Sequence, residues 1–317
     1  MFGRKAGRGD FFCWQAASVF YRSFLASSRC CAIPVKYYIM TTINFNVVPL
    51  SPTLNRDVEC LRISTYAGDQ PLEVKVCPSG YPGIVFQLAA DHTSAIESIA
   101  IRSAQTSHIP ILFLHGQGSE PSIMRFRGTP YTTIQVVFKP HALYSLFGWD
   151  AAGHNQGFLA PDQFDAVELG RQLLSAYSTE ERVSLLNHFL INRIIQTNKR
   201  DELIESALDY IRDNIMSVTV PDLVATFHIS ERQFQKRFTR VVGMRSHLFI
   251  RVRRVNEALR LMHTGQYERL SDVAYALNYH DQSHFIRDMK SFSWVSPKHI
   301  AMKVSDFHSD LAGSSYI

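Results

Sequence analysis

The chain reads as an α+β protein, a β-rich amino-terminal half followed by an all-α carboxy-terminal domain with two helix-turn-helix units joined by a long helix. Three observations carry this. Short runs rich in Val, Ile, Phe and Tyr, separated by Gly, Pro, Ser and Asp, occupy residues 44–138. From His141 onward apolar residues recur at helical spacing instead. Finally, one two-helix pattern occurs twice, 51 positions apart when counted from Ser230 to Asp281. At 317 residues there is room for two domains with cores of their own.

Residues 1–40 differ in composition from the remainder of the chain. They hold six Lys/Arg against one acid, and Cys13, Cys30 and Cys31 are three of the five cysteines. Residues 11–20, after Arg4, Lys5 and Arg8, have something of a secretory signal's apolar core, but Gln15 interrupts them and Arg22 and Arg29 come soon after. The expectation is a disordered extension or a mis-assigned start, because Met40-Thr41-Thr42-Ile43-Asn44-Phe45 would begin a sensible protein. An odd number of cysteines without regular spacing argues against a disulfide framework and fits a reducing cytoplasm. No run approaches 18 uninterrupted apolar residues, so no membrane partner is expected.

In residues 41–200, strands are expected over 58–66, 73–76, 83–88, 109–114 and 132–138, forming a sandwich or an open barrel. Cys60 and Cys77 are expected on neighbouring strands as small buried hydrophobes. Gly116-Gln117-Gly118-Ser119 lacks the Lys and the strand-to-helix setting of a phosphate loop and reads as a hairpin turn. His92, His108, His115, His141 and His154 lack the close His-x-His spacing with a carboxylate that a metal site needs, so no metal is expected. No Ser/His/Asp arrangement stands out, and neither a cofactor nor an enzymatic activity is expected. Helices come next, carrying Ala142, Leu143, Leu146 and Phe147, then Val167, Leu169, Leu173 and Leu174, then a longer one over 180–196.

Residues 201–303 hold the repeat, with helix-turn-helix units expected over 220–242 and 271–292. In the first unit Thr219 can cap, Pro221 suits the first turn, and Leu223, Val224 and Phe227 face inward. His228-Ile229 makes the turn, and Ser230 with Gln233 starts the second helix, whose buried stripe is Phe234, Phe238 and Val241. In the second unit Ser271 is the expected cap, and Val273, Ala274 and Leu277 form the inner face. Asn278 is suited to the left-handed stop, and Asp281 caps a helix buried through Phe285, Met289 and Phe292. Between the units, 246–263 is a helix with Leu248, Val252, Val255, Leu259 and Met262 inward, closed by Gly265. Eighteen helical residues span about 27 Å. With the offsets of the reading helices added, that suits two helices about 34 Å apart, one turn of B-DNA.

These residues resemble the DNA-binding domain of the AraC/XylS family of bacterial transcription regulators. The match lies in Ser230-x-x-x-Phe234-x-x-x-Phe238, Gly243 and Arg254. It continues in Val273-Ala274, Asp281-Gln282-Ser283-x-Phe285-x-Arg287-x-x-Lys290 and Val295-Ser296-Pro297. Asn278-Tyr279 stands where the family usually has Gly-Phe, and Trp294 where it usually has Gly. The resemblance implies a β-rich sensory or dimerisation domain over 41–200, to which Ile134–Leu143 and Phe113–Gln117 are similar in short patterns. It further implies double-stranded promoter or operator DNA as partner, RNA polymerase beside it, a small-molecule effector, and a homodimer. An alternative is a regulator without ligand, whose amino-terminal half only dimerises or binds a protein. An enzyme fused to such a reader, as in DNA-repair methyltransferases, would need a reactive Pro-Cys-His-like setting that Cys77-Pro78 and Cys60-Leu61 do not offer.

Arg and Lys can donate to guanine O6 and N7, and Gln can pair both ways with adenine. Base readout is therefore expected from Arg232, Gln235 and Lys236 in the first unit and Gln282, His284 and Arg287 in the second. Ser230, Arg237, Arg240, Ser283 and Lys290 are the expected phosphate contacts, which set register without reading sequence. Arg254 is expected to be structural. Charge supports the assignment: residues 228–303 carry fourteen Lys/Arg against six acids, while the chain outside this segment and the first forty residues is acidic. Residues 304–317 are a tail after the domain over 201–303.

Overall fold

Two antiparallel sheets and a layer of helices build the amino-terminal half. The computed structural model describes residues 43–316 apart from 103, 155–156, 198, 266, 303–306 and 311–312, so the expectation for residues 1–40 lies outside the described residues. In chain order the strands are β1 (Ile43–Val48), β2 (Val58–Tyr66), β3 (Leu72–Val76), β4 (Gly83–Ala89), β5 (Ile96–Ile101), β6 (Ala104–Ser107), β7 (Leu112–His115), β8 (Ser122–Phe126), β9 (Tyr131–Phe138) and β10 (Phe158–Leu159). A hairpin at the far end of the chain adds β11 (Phe307–Asp310) and β12 (Gly313–Tyr316). The first sheet has the order β1-β2-β9-β4-β7-β10 and the second β11-β12-β3-β8-β5-β6.

The first sheet is the middle of three layers. All seven residues of β4 are buried, because the strand has no solvent face. Ile84, Phe86 and Leu88 pack toward the helices, with Leu143, Leu146, Leu186 and Leu190. Val85 and Ala89 point the other way, into a core between the sheets that includes Phe113, Phe126 and Tyr131. A strand buried on both faces loses the alternation of a half-exposed one, which is why it reads as an unbroken apolar run. Gln87 is the polar exception. Its amide donates to the Ser94 hydroxyl and the Pro110 carbonyl and accepts the Ile96 N–H, so no buried group is left unpaired there. The helical layer comprises α1 (Ala142–Phe147), α2 (Val167–Ser175) and α3 (Thr179–Thr197).

The carboxy-terminal half is α4 (Glu202–Asp213), α5 (Val220–Thr226), α6 (Glu231–Val242), α7 (Ser246–His263), α8 (Leu270–Ala276), α9 (Gln282–Ser293) and α10 (Pro297–Met302). Helix α7 serves two cores. Phe249 and Ile250 close the first around Phe234, Phe238 and α4, while Val252, Val255 and Leu259 anchor the second with Phe285 and Met289. No helix among the described residues is long and apolar enough to cross a membrane.

Three local expectations are corrected. Helix α8 starts two residues earlier than a cap at Ser271 would place it: the Asp272 carboxylate takes the backbone N–H of Arg269, which is the residue at the cap. Cys60 lies on β2 of the first sheet, whereas Cys77 comes just after β3 of the second and packs against α7. Residues 116–119 cross from β7 in one sheet to β8 in the other, so they do not close a hairpin. Strand β12 pairs with β3, with Ser315 opposite Val76 and Tyr316 opposite Lys75.

Candidate nucleic-acid interface

The two units are built by the same local devices. In the first, Thr219 and Asp222 form a reciprocal capping box at the start of α5. Hydrogen bonds from the Thr219 hydroxyl and backbone hold the Asp222 carboxyl below the usual carboxylate range. His228 then turns the chain at φ 50°, and the Ser230 hydroxyl accepts the Gln233 N–H to open α6. In the second, Asn278 turns at φ 55° and the Asp281 carboxylate accepts the His284 N–H at 2.7 Å to open α9. The reading helices end alike, on Gly243 at φ 90° and Trp294 at φ 59°. The two departures from the family pattern thus occupy the same backbone conformations as their counterparts. Asn tolerates the left-handed region, and the buried Tyr279 ring packs edge-on to Phe285, as a Phe could.

Two arginines of α7 hold both units. Arg254 donates to the Ile215 and Val218 carbonyls in the α4–α5 loop, which satisfies a chain segment that has no helical partner. Arg251 forms a forked pair with Asp288 of α9, whose side chain is 2% exposed.

On this frame the expected site residues separate by environment. Arg232 and Lys236 are exposed on α6, one turn apart; Gln282, Ser283, Arg287 and Lys290 are exposed on α9. Ser230 is exposed and serves as the α6 cap. Gln235 is placed otherwise: its amide donates to the Ser246 hydroxyl at 2.8 Å and accepts the Ser246 N–H, tying α6 to the start of α7. A base contact by Gln235 would require both bonds to be exchanged. The His284 ring lies edge-on to Tyr279 and 3.9 Å from the Asp288 carboxylate, half-buried against the turn. Arg237 and Arg240 both reach Asp201, the buried cap of α4, and Arg240 also lies over the Tyr144 ring.

Charge is therefore less freely disposed than its sum suggests. Of the fourteen basic residues in 228–303, Arg237, Arg240, Arg251, Arg253, Arg254 and Arg260 are engaged within the protein. Arg232, Lys236, Arg245, Arg269, Arg287, Lys290 and Lys298 are exposed and have no acidic partner among the described residues. Arg245, Arg269 and Lys298 were not singled out by sequence reasoning. Each stands at the start of a helix, just ahead of or inside the first turn, and that position was the available signal.

The halves meet at a buried charge cluster. Asp57 sits between Arg200 of the linker, His141 and Ser145, and Arg200 also pairs with Glu205 of α4. Burial alone would raise the Asp57 carboxyl, but the His141 ring nitrogen 3.3 Å away, the Ser145 hydrogen bond and the Arg200 charge outweigh it, leaving it at about 2. Beside this cluster is a cleft of about 200 Å³, lined by Arg56, Tyr81 and Lys139 from one half and Glu205, Phe249 and Arg253 from the other.

Residues 223–302 match a family model described as a helix-turn-helix domain, and residues 46–156 match one described as a domain of unknown function. No curated protein sequence matches the chain. Among solved structures, the chain is similar to ToxT from Vibrio cholerae O395, at 12% identity and a TM-score of 0.44, over 77% of this chain and 98% of that one. It is also similar to ToxT from Vibrio cholerae strain SCE256 with bound unsaturated fatty acid, at 16% identity and 0.44, over 76% and 95%. A third is the AraC-like transcriptional activator CuxR, at 14% identity and 0.24, over 68% and 86%. The match places a helix-turn-helix domain in residues 223–302, the segment in which the two units pair around α7.

Proposed function

We propose that the protein reads a specific DNA sequence with α6 and α9 in two successive major grooves, and that its amino-terminal half modulates this reading. The observation that carries the proposal is the repetition of one cap–turn–cap unit on both sides of an 18-residue helix. A helix-turn-helix places the first residues of its second helix at the base edges. Arg232 and Lys236 in α6 and Gln282 and Arg287 in α9 are then the base readers, with Ser283 and Lys290 on phosphates. Arg245, Arg269 and Lys298 extend the phosphate-facing set. RNA polymerase is the further partner that transcription control entails.

The cleft between the halves supports a small-molecule effector. A ligand held there would touch both domains, and it could shift their equilibrium only by preferring one arrangement over another. Thermal denaturation of the whole protein against a metabolite panel tests this part, because a ligand of the native state raises Tm with its concentration. No rise with any compound would favour the other reading, an amino-terminal half that only dimerises or binds a protein.

The DNA proposal is tested by selecting DNA from a random pool with the full-length protein. Enrichment of two short motifs about one helical turn apart is expected. Recovery of a single motif, or of none, would contradict tandem reading.

A further inference from the structure

The tail beyond α10 leaves the DNA-binding half and joins the amino-terminal half. Strand β12 adds to the edge of β3 with Ser315 opposite Val76 and Tyr316 opposite Lys75, and the Cys77 N–H donates to the Ser314 carbonyl at 3.0 Å. The hairpin lies along α7 on its way there. Without it β3 would be an open sheet edge, with a row of unpaired donors and acceptors. The same sheet holds the second unit at other points. Arg102, after β5, donates to the Lys290 and Ser291 carbonyls at the end of α9, where a cation suits the helix terminus. From α7, Asn256 and Arg253 donate to the Pro78 and Ser79 carbonyls just beyond β3.

The first unit is held elsewhere. Helix α6 packs on α1 and on the turn at Ala151–His154, both in the helical layer. The two reading units are thus anchored on opposite faces of the first sheet, one through the helices and one through the second sheet.

We propose that strands β11 and β12 are a strap that fixes the second reading unit to the second sheet, so that the spacing between α6 and α9 is set by the layering of the amino-terminal half. Among the described residues the strap's ladder with β3 has two register pairs and one flanking backbone bond, and a ladder of that length is the kind that opens locally ahead of the rest of a fold. Once it opens, the second unit keeps its own core around Phe285 and Met289 but loses its place relative to the first.

Two variants of the full chain open the strap by different means. Gly313 has φ 125°, and a Cβ there would lie 2.9 Å from the Ser79 Cβ, so Gly313→Ala strains the hairpin where it meets the sheet. Deletion of residues 304–317 removes it. Hydrogen exchange should show the Cys77 amide protected in the parent protein and unprotected in both variants. Spin labels on unnatural amino acids at Glu97 and Tyr275 should give one narrow distance in the parent and a broad one in both variants. A pair at Glu97 and Asp222, on the first unit, should stay narrow. A Cys77 amide already unprotected in the parent overturns the proposal, and so does a Glu97–Tyr275 distance that stays narrow once that amide is exposed. The consequence for DNA rests on the tandem reading proposed above: the variants should lose the preference for one motif spacing while keeping both motifs. If the parent selects no paired motif, it is the tandem reading that fails, and exchange and label distances still decide the strap.

Discussion

At the scale of the residue, what matters is whether a side chain is spent inside the protein or left for DNA. Arg232 and Arg287 are exposed and unpaired, so Arg232→Ala and Arg287→Ala should each cost about 1–3 kcal/mol at the selected site and relax preference at one position. Equal losses on selected and random DNA, read by fluorescence anisotropy, would make them phosphate contacts. Gln235→Ala should behave differently, because its amide is committed to Ser246. It should lower Tm, with the base preferences of the selected site unchanged. Gly243 sits at φ 90° with space for a Cβ closed by the Ala151 carbonyl oxygen at 2.9 Å. Gly243→Ala should therefore destabilise by roughly 1–3 kcal/mol in denaturant unfolding. Asp57 supplies the pH dependence: its folded value is depressed, so its contribution is complete above the unfolded value near 3.8 and is lost as pH falls through about 2. The depression corresponds to about 2 kcal/mol, and Asp57→Asn should remove that acid-dependent part of the unfolding curve.

Among elements, legibility tracked local signals. Strands β2, β4 and β9 were legible in the sequence because buried strands concentrate Val, Ile and Phe, and α7 was legible to its terminal residues because its apolar spacing is unbroken. Strands β5, β6 and β8 were not: β6 is exposed throughout, so nothing in Ala-Gln-Thr-Ser distinguishes it from a loop, and their pairing is decided by distant partners. The caps at Thr219, Ser230 and Asp281 could be read because a cap is a neighbour-to-neighbour interaction. Ser271 misled because the competing device, Asp272 reaching back to Arg269, uses an equally local pattern two residues earlier. In the same way the exposed cations of α6 and α9 could be placed from helical spacing. The engagement of Arg237 and Arg240 with Asp201 could not, since their partner lies 36 and 39 residues away.

For the whole molecule, the proposed coupling of reading to the rest of the chain rests on charge and layering. Among the described residues, seven exposed cations of the carboxy-terminal half have no acidic partner, which predicts that log affinity falls linearly with log salt. Lys236→Ala should reduce that slope by about 1 if it meets a phosphate and leave it nearly unchanged if it meets only a base edge. In the proposed reading, two units wrapped around a single helix, each anchored to its own layer of the amino-terminal half, act as one device. Hydroxyl-radical footprinting on the selected site tests that claim most directly, with the parent protein and Arg287→Ala side by side. Two protected windows about ten base pairs apart on one face of the duplex are predicted, the second weakened by Arg287→Ala and the first unchanged. One window only, or both windows weakened together by that substitution, would contradict it.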